Sequence, residues 1–273
     1  MRLTDTGFAK INLALHVRKR RADGFHELET LFAFAEDGDL LSAEPADTLT
    51  LSITGPFADG LSTGPDNLVL KAAAALAERA GISAGVAFTL DKRLPIASGI
   101  GGGSADAAAA LRLAARLWGL DHVRPMDVAA HIGADVPACV LSQTCIGTHL
   151  GDRLEPIDGS DLTEVPLLLV NPMVPCPTGP VFKAWDGVDR GALDVANWMT
   201  ARNDLQPPAL MLVPEIGTVL DVLAQQPGNR LTRMSGSGAT CFAIFETSAA
   251  RDIATAAIAQ VHPDWWTLAT RLR

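Results

Sequence analysis

The sequence has no tyrosine among its 273 residues, so no phenol hydroxyl is available to any site. It is short of positive charge. Its 22 Lys and Arg stand against 31 Asp and Glu, a net charge of −9, which argues against nucleic-acid binding and against a polybasic membrane surface. A phosphate ligand stays compatible, because backbone amides and a few local cations hold one in an acidic protein. Cysteine is scarce: Cys139, Cys145, Cys176 and Cys241 include no C-x-x-C pair, and no His-x-x-x-His accompanies them. That spacing excludes the usual zinc sites and disulfide frameworks and predicts buried thiols in a reducing compartment. Long apolar runs are missing too. No stretch approaches the roughly 18 residues needed to span a bilayer. Near the start, Arg2, Asp5, Lys10 and Asn12 interrupt any signal-peptide core of about 7–15 apolar residues. A soluble, cytoplasmic protein is expected.

Apolar residues make up 48% of the chain, enough to bury a core without staples. Domains run to roughly 100–200 residues, so one large or two modest domains are expected. In the segment 10–17, Ile11, Leu13, Leu15 and Val17 alternate with Lys10, Asn12, Ala14 and His16. This period of two predicts a strand with Lys10 and Asn12 on one face. Asp23-Gly24 marks a turn. Further strands are predicted over 28–35, 48–53, 86–90, 166–170, 231–234, 241–245 and 267–272. Helices are predicted over 68–80, capped by Asp66 or Asn67 and closed by Gly81, over about 104–118, and over 214–225 and 248–261. Pro125 and Gly133 bracket another helix. Four prolines exclude continuous regular structure across 171–180. Asn203-Asp204 reads as a helix start with no chemistry of its own. The polar, acidic stretch 150–164 is the candidate domain boundary. Strands mixed with helices on both sides of it predict two α/β or α+β lobes.

The block Pro95-Ile96-Ala97-Ser98-Gly99-Ile100-Gly101-Gly102-Gly103-Ser104-Ala105 carries four glycines in five positions and runs straight into a helix former. Glycine lets the backbone approach a ligand and take positive φ. A helix N-terminus adds free N–H groups and partial positive charge, so the block reads as a phosphate cradle. The alternative is a tight strand-to-helix turn, but three consecutive glycines at a helix start exceed what a turn requires. Other phosphate motifs fail. The Walker pattern needs Gly-Lys-Ser/Thr where Gly103-Ser104-Ala105 stands, the dinucleotide pattern fails at Ser104, and no His-Arg-Asp kinase loop occurs. A valine at Gly102 is expected to weaken binding at this cradle by pushing a β-branched side chain between backbone and phosphate. Ser104 has two open readings, a contact to Mg2+ or a phosphate oxygen, and a helix N-cap.

The Pro95–Ser104 block resembles the ATP loop of the GHMP kinases, the superfamily of galactokinase, homoserine kinase and mevalonate kinase. Three other blocks extend the resemblance over nearly the whole chain. They are Ala9-Lys10-Ile11-Asn12-Leu13 with Asp23-Gly24-Phe25-His26-Glu27-Leu28, then Gly133-Ala134-Asp135-Val136-Pro137, and Ser235-Gly236-Ser237-Gly238-Ala239. Their order and spacing are similar to the branch that phosphorylates a cytidine diphosphate-linked methylerythritol in non-mevalonate isoprenoid synthesis. The resemblance implies an α+β, two-lobed GHMP-kinase fold. Residues 1–155 would form the ATP-binding domain, and 156–273 a smaller, ferredoxin-like C-terminal domain. It implies ATP and Mg2+, and a small-molecule substrate with a cytidine diphosphate moiety. Lys10 and Asp135 match the catalytic positions, and Pro95–Ala105 matches the ATP segment. Asn12 and His26 match the part that holds the cytidine end, and Phe25 and Phe182 match a sandwich around the cytosine ring. Ser235–Ala239 would lie near the phosphates.

Two departures stand out. Phe25 replaces a usual tyrosine, keeping the ring face and losing a hydroxyl. Thr148-His149-Leu150-Gly151-Asp152 replaces a usual Gly-x-Gly-Glu.

Phosphoryl transfer needs alignment and charge stabilisation more than covalent help. A carboxylate that takes the acceptor's proton suits Asp135, and a neighbouring cation would favour its ionised form, the role expected of Lys10. The competing readings are a GHMP kinase for another small alcohol and a nucleotide-binding relative without catalysis.

Overall fold

The computed structural model describes residues 1–273 and opens on two long strands, β1 (Leu3–Arg20) and β2 (His26–Ala46). The rest follows as β3 (Thr50–Thr54), α1 (Leu68–Ala80), β4 (Gly85–Asp91), α2 (Gly102–Trp118), α3 (Met126–Ile132), α4 (Val136–Leu141), β5 (Cys145–His149) and β6 (Arg153–Pro156). Then come β7 (Pro166–Asn171), α5 (Thr178–Lys183), α6 (Gln206–Leu212), α7 (Glu215–Ala224), β8 (Asn229–Met234), β9 (Cys241–Phe245), α8 (Ser248–Val261) and β10 (Trp266–Arg271). The chain forms two compact units, and neither is continuous in sequence. The first comprises Met1–Ala9, Asp37–Ile96 and Gly101–Ser142; the second comprises Lys10–Glu36, Ala97–Ile100 and Gln143–Arg273.

In the first unit β3 runs parallel to β4, and β4 runs antiparallel to the later part of β2, with Leu40 opposite Asp91. Val86, Phe88 and Leu90 alternate inward along β4 and join Leu41, Leu76 and Leu111 in one core. α1 begins as predicted. Asn67 caps it by accepting from the Val69 N–H at 2.9 Å, and Gly81 closes it at a φ of +66°. The alanine-rich α2 packs on α1. Buried Ala107, Ala109, Ala110 and Ala114 bring the two helices close.

In the second unit the early part of β2 pairs antiparallel with β5, and β5 with β6. A separate four-stranded antiparallel sheet has the order β10-β7-β9-β8. With α5, α6 and α7 between β7 and β8, and α8 between β9 and β10, this is the split β-α-β arrangement expected of a ferredoxin-like lobe. Its core gathers Leu168, Val170, Ile216, Val219, Phe245 and Ile258, joined by Leu15, Val17 and Leu28 from β1 and β2.

Stretch 150–164 contains β6, paired to β5 from Thr148–Arg153 to Cys145–Pro156, so its polar residues mark a hairpin edge. β1 and β2 contribute to both compact units. Segment 171–180 is not continuous regular structure, as its prolines require: it joins the end of β7 to the start of α5, with Pro177 as the N-cap. All four cysteines are buried and none forms a disulfide. Burial pushes the Cys145 thiol up to about 11.

Candidate active site

The polar face of β1 is as buried as its apolar face. Lys10 is 3% exposed and Asn12 2%, so Lys10 is no solvated strand lysine. A buried ammonium needs partners. Lys10 Nζ donates to Asn12 Oδ1 at 3.0 Å and stands 4.5 Å above the centre of the Phe32 ring. Asn12 is itself held, its Nδ2 donating to Thr30 Oγ1 at 2.8 Å. Thr30 Oγ1 in turn donates to the Ala14 carbonyl at 2.7 Å.

The glycine-rich block divides between the units: residues 97–100 belong to the second, and 95–96 and 101–105 to the first. In the second unit residues 97–100 are strapped to the Ser235–Ala239 turn. Ser235 Oγ donates to the Gly99 carbonyl at 3.1 Å and accepts from the Asn12 N–H at 3.1 Å. The Thr240 N–H donates to the Ser98 carbonyl, and the Lys10 N–H to the Ile100 carbonyl. Gly99 has a φ of +79°, and a β-carbon there would lie 2.6 Å from the carbonyl oxygens of Ser235 and Gly238. That glycine is required by backbone approach between two loops.

In the first unit α2 starts two residues before the predicted position. Gly101 is its N-cap in the left-handed region, without a side-chain cap. Ser104 therefore sits inside the first turn and the N-cap reading of Ser104 falls away. Gly102 is buried, and a β-carbon on it would approach Lys92 Nζ at 3.1 Å. Gly103 is exposed, and its β-carbon would meet only Leu68 Cδ1, at 3.5 Å. The expectation for valine at Gly102 is thereby corrected: that side chain would strike the buried lysine, and Gly103 is the position that opens outward.

Beneath this helix start lies a sealed ion triad. Lys92 Nζ stands 2.5 Å from Asp39 Oδ2 and 2.7 Å from Asp106 Oδ2. Asp39 Oδ1 also accepts from the N–H groups of Arg93 and Leu94. Asp106 Oδ1 is buried without a partner. Burial pushes the Asp106 carboxyl up to about 7, against the opposing pull of Lys92.

Asp135 belongs to the first unit and Lys10 to the second. Asp135 is the N-cap residue of α4, with Pro137 in the first turn. The Gly133–Pro137 block thus runs into a helix start. The Asp135 carboxylate makes no cap bond of its own.

Of the residues assigned to the cytidine end, His26 and Phe182 meet in the second unit, whereas Asn12 sits with Lys10 and Thr30. Phe25 is 60% exposed beyond the Asp23-Gly24 turn, where Asp23 Oδ1 accepts from its N–H. His26 is buried, its ring 5.1 Å from that of Phe182 and 5.7 Å, edge-on, from that of Trp185. Arg20 Nε donates to His26 Nε2 at 3.3 Å. Nearby, the Thr148–Asp152 segment closes on itself as Asp152 accepts from His149 Nδ1 and the Leu150 N–H, and Arg21 contacts His149.

Sequence reasoning missed Arg20, Trp185, the triad and the part played by Asn203-Asp204. Asn203 Nδ2 donates to the carbonyls of Met234 and Gly236, both at 2.8 Å, and Asp204 Oδ2 accepts from the Val17 N–H. Asn203 does mark the start of α6 by accepting from the Leu205 N–H, but it also holds the Ser235 turn in place. A signal for the triad was present in Asp106, a lone acid among the alanines of α2.

Comparison with known proteins gives the class first. The description "GHMP kinases N terminal domain" matches residues 67–143, and "GHMP kinases C terminal" matches 190–264. A homoserine kinase from Cytophaga hutchinsonii shares the fold, with a TM-score of 0.70 at 16% identity over 97% of this chain and 95% of that one. Both ends of the chain are thus GHMP kinase in kind. The 4-diphosphocytidyl-2-C-methyl-D-erythritol kinase of Rhizorhabdus wittichii is 57% identical over 100% of this chain and 96% of its own length. The protein of the same name from Novosphingobium aromaticivorans is 55% identical over 100% and 94%. A crystal structure of 4-(cytidine 5'-diphospho)-2C-methyl-D-erythritol kinase superposes with a TM-score of 0.84 at 33% identity, covering 98% of this chain and 99% of that one. The chain belongs to the 4-diphosphocytidyl-2-C-methyl-D-erythritol kinase family.

Proposed function

We propose that the protein transfers the γ-phosphoryl group of ATP to the 2-hydroxyl of 4-diphosphocytidyl-2-C-methyl-D-erythritol, releasing ADP and the 2-phosphate, in non-mevalonate isoprenoid precursor synthesis. The observation that carries this reading is the full-length likeness, at 57% identity, to a kinase of that name. The contact between the His26 and Phe182 rings, with Phe25 next to His26 in the chain, supports a site for the cytidine end. The two GHMP descriptions end and begin on either side of residue 155. This supports 1–155 as the ATP-binding domain and 156–273 as the C-terminal domain.

In this reading Asp135 accepts the proton of the acceptor hydroxyl as the oxygen attacks the γ-phosphorus. Lys10 supplies positive charge from a rigid strand, its ammonium oriented by Asn12. The Pro95–Ala105 block presents backbone N–H groups to the phosphates of ATP. Mg2+ carried in on ATP keeps several waters, and the Ser104 hydroxyl in the first turn of α2 is the protein group that would reach it. When bound, the ion neutralises charge on the β- and γ-phosphate oxygens. No helix is long and apolar enough to cross a membrane, in keeping with a cytoplasmic enzyme.

The test is ADP release with Mg-ATP and 4-diphosphocytidyl-2-C-methyl-D-erythritol, with mevalonate and homoserine as comparison acceptors. Turnover confined to the cytidine compound is expected. Turnover on another alcohol alone would keep the kinase class and overturn the substrate.

A further inference from the structure

The turn that carries Phe25 is fastened to the β5–β6 hairpin through Asp23, Arg21, His149 and Asp152. Arg21 Nε and Nη2 donate to Asp23 Oδ2 at 3.0 and 2.8 Å, and Asp23 Oδ1 accepts from the Phe25 N–H at 3.1 Å. The turn also closes on itself: the Arg21 N–H donates to the Phe25 carbonyl, and the Gly24 N–H to the Arg21 carbonyl. Arg21 Nη1 reaches out of the turn to His149 Nε2. His149 ends β5, and its Nδ1 lies 2.9 Å from Asp152 Oδ1. Its φ is +64°, in the left-handed region that glycine enters most readily. A ring held at both nitrogens stands there instead. Phe25 is exposed, so these bonds, more than packing, place its backbone.

The two neighbours dictate where the ring carries its proton. A guanidinium has only donors and stays charged, so the nitrogen facing Arg21 presents a lone pair. Asp152 is an ionised acceptor. Burial pushes its carboxyl up, but hydrogen bonds from His149 and the Leu150 N–H outweigh that and hold it below its ordinary value. The nitrogen facing Asp152 therefore carries the proton. Asp23 is ionised as well, held below its ordinary value chiefly by the hydrogen bond from Arg21. The remaining charges beside the ring are Glu27 of β2 and Lys19 of β1, which pair at 3.1 Å. A neutral ring with its proton on Nδ1 thus completes the chain. A second proton, on Nε2, would set an N–H against the N–H groups of Arg21 and one cation against another. The bond to Asp152 survives that change, and the bond to Arg21 does not.

We propose that His149 is a positioning residue whose unprotonated Nε2 clasps the Phe25 turn to the β5–β6 hairpin, so that affinity for the cytidine-linked substrate declines as the ring takes up a proton. This rests on the substrate proposed above, with the exposed Phe25 ring as a face for it. Losing the clasp leaves the turn its shape, because the Arg21–Asp23 pair and the backbone bonds within the turn remain. What changes is the freedom of the turn to move against the hairpin. A loop that binding must order weakens binding by the entropy lost, and a loop already held does not. The effect therefore falls on KM for the acceptor substrate, with kcat and the KM for ATP unmoved.

Two variants separate the clasp from the fold. His149→Gly removes the ring at a backbone conformation that glycine adopts freely. His149→Gln keeps one acceptor and one donor and takes up no proton. The first measurement needs no substrate. In the free, unaltered protein the backbone 15N order parameter of Phe25 should stand near about 0.85, and in His149→Gly it should fall toward about 0.6. An unchanged order parameter in His149→Gly overturns the clasp whatever the enzyme acts on. The second measurement is kinetic and runs from about pH 8 to about pH 5, across which imidazoles change charge. On acidification the unaltered protein should show a KM for the cytidine substrate raised by about tenfold, the worth of roughly one hydrogen bond. His149→Gly should begin at the raised value and stay there, and His149→Gln should stay near the low one. At each pH, kcat and the KM for ATP should agree among the three proteins. An acid rise in KM that persists in both variants belongs to another group and overturns the proton link. A loss confined to kcat, or shared by the KM for ATP, overturns the positioning role.

Discussion

Two carboxylates illustrate how burial divides labour among like residues. Asp135 heads a helix yet makes no cap bond to it, so Asp135→Asn should leave α4 intact while removing a base. kcat is expected to fall by about 10²–10⁴-fold with ATP affinity retained, measured by steady-state kinetics alongside nucleotide titration. Near-normal turnover would take the base role from Asp135. Asp106 is the opposite case. With Lys92 and Asp39 it forms a sealed cluster whose ionised form has two negative charges for one positive. The native chain keeps a proton on Asp106 up to about pH 7, whereas an unfolded aspartate releases it near pH 4. Across that window the unfolded state binds fewer protons, so the contribution of Asp106 to stability declines as pH rises. Asp106→Asn cannot lose that proton. Its melting temperature relative to the unaltered protein should therefore climb between pH 5 and pH 8. A difference that stayed constant or shrank would mean the cluster is neutralised some other way. Lys92→Met, by contrast, leaves two acids buried without their cation and should cost about 3–5 kcal/mol, read by denaturant unfolding.

At the scale of elements, the start of α2 is built from glycines with different duties. Gly99 has no room for a β-carbon against the Ser235–Gly238 carbonyls, and a β-carbon at Gly102 would press on Lys92 Nζ at 3.1 Å. Gly101 takes the left-handed conformation that begins the helix. Gly103 alone of the consecutive three faces outward with space beside it. Gly103→Val should therefore fold with a melting temperature close to that of the unaltered protein and show a KM for ATP raised by about tenfold or more, since its isopropyl group stands where phosphate would meet backbone. Gly102→Val should instead lower the melting temperature through its collision with the triad. Equal ATP affinity in a folded Gly103→Val protein would move the phosphate site away from this helix start. Ser235 matters in the same way: one hydroxyl joins the Asn12 amide to the Gly99 carbonyl, so β1 and residues 97–100 share a fastening that neither segment's own sequence reveals.

Neither compact unit of the molecule is a single continuous stretch of chain. β1 and β2 contribute to both compact units, and the core of the second unit includes Leu15, Val17 and Leu28. The isolated fragment 156–273 lacks these three residues and the Val17 N–H that Asp204 accepts. It is expected to show no cooperative thermal transition by circular dichroism. A sharp transition in that fragment would mean that the C-terminal sheet and its helices suffice as a core.

The sequence by itself determined what depends on neighbours along the chain. Alternation revealed β1 with Lys10 and Asn12 on one face, Asp66 or Asn67 and Gly81 bounded α1, and Asp23-Gly24 placed the turn ahead of Phe25. The glycine block announced a helix start, and order and spacing of the blocks pointed to the kinase class. Only tertiary structure decided what depends on residues distant in sequence. It buried both faces of β1, paired 153–156 as a strand, and set Asp106 beside Lys92 and Asp39. It also gave Asn203 the Ser235 turn to hold and laid Arg20 against the ring of His26. The physical reason is range. Turn, cap and periodicity signals act within a few residues through backbone conformation and hydrogen bonds. The partner of a buried charge is chosen by whichever distant side chain the packed fold delivers within about 3 Å.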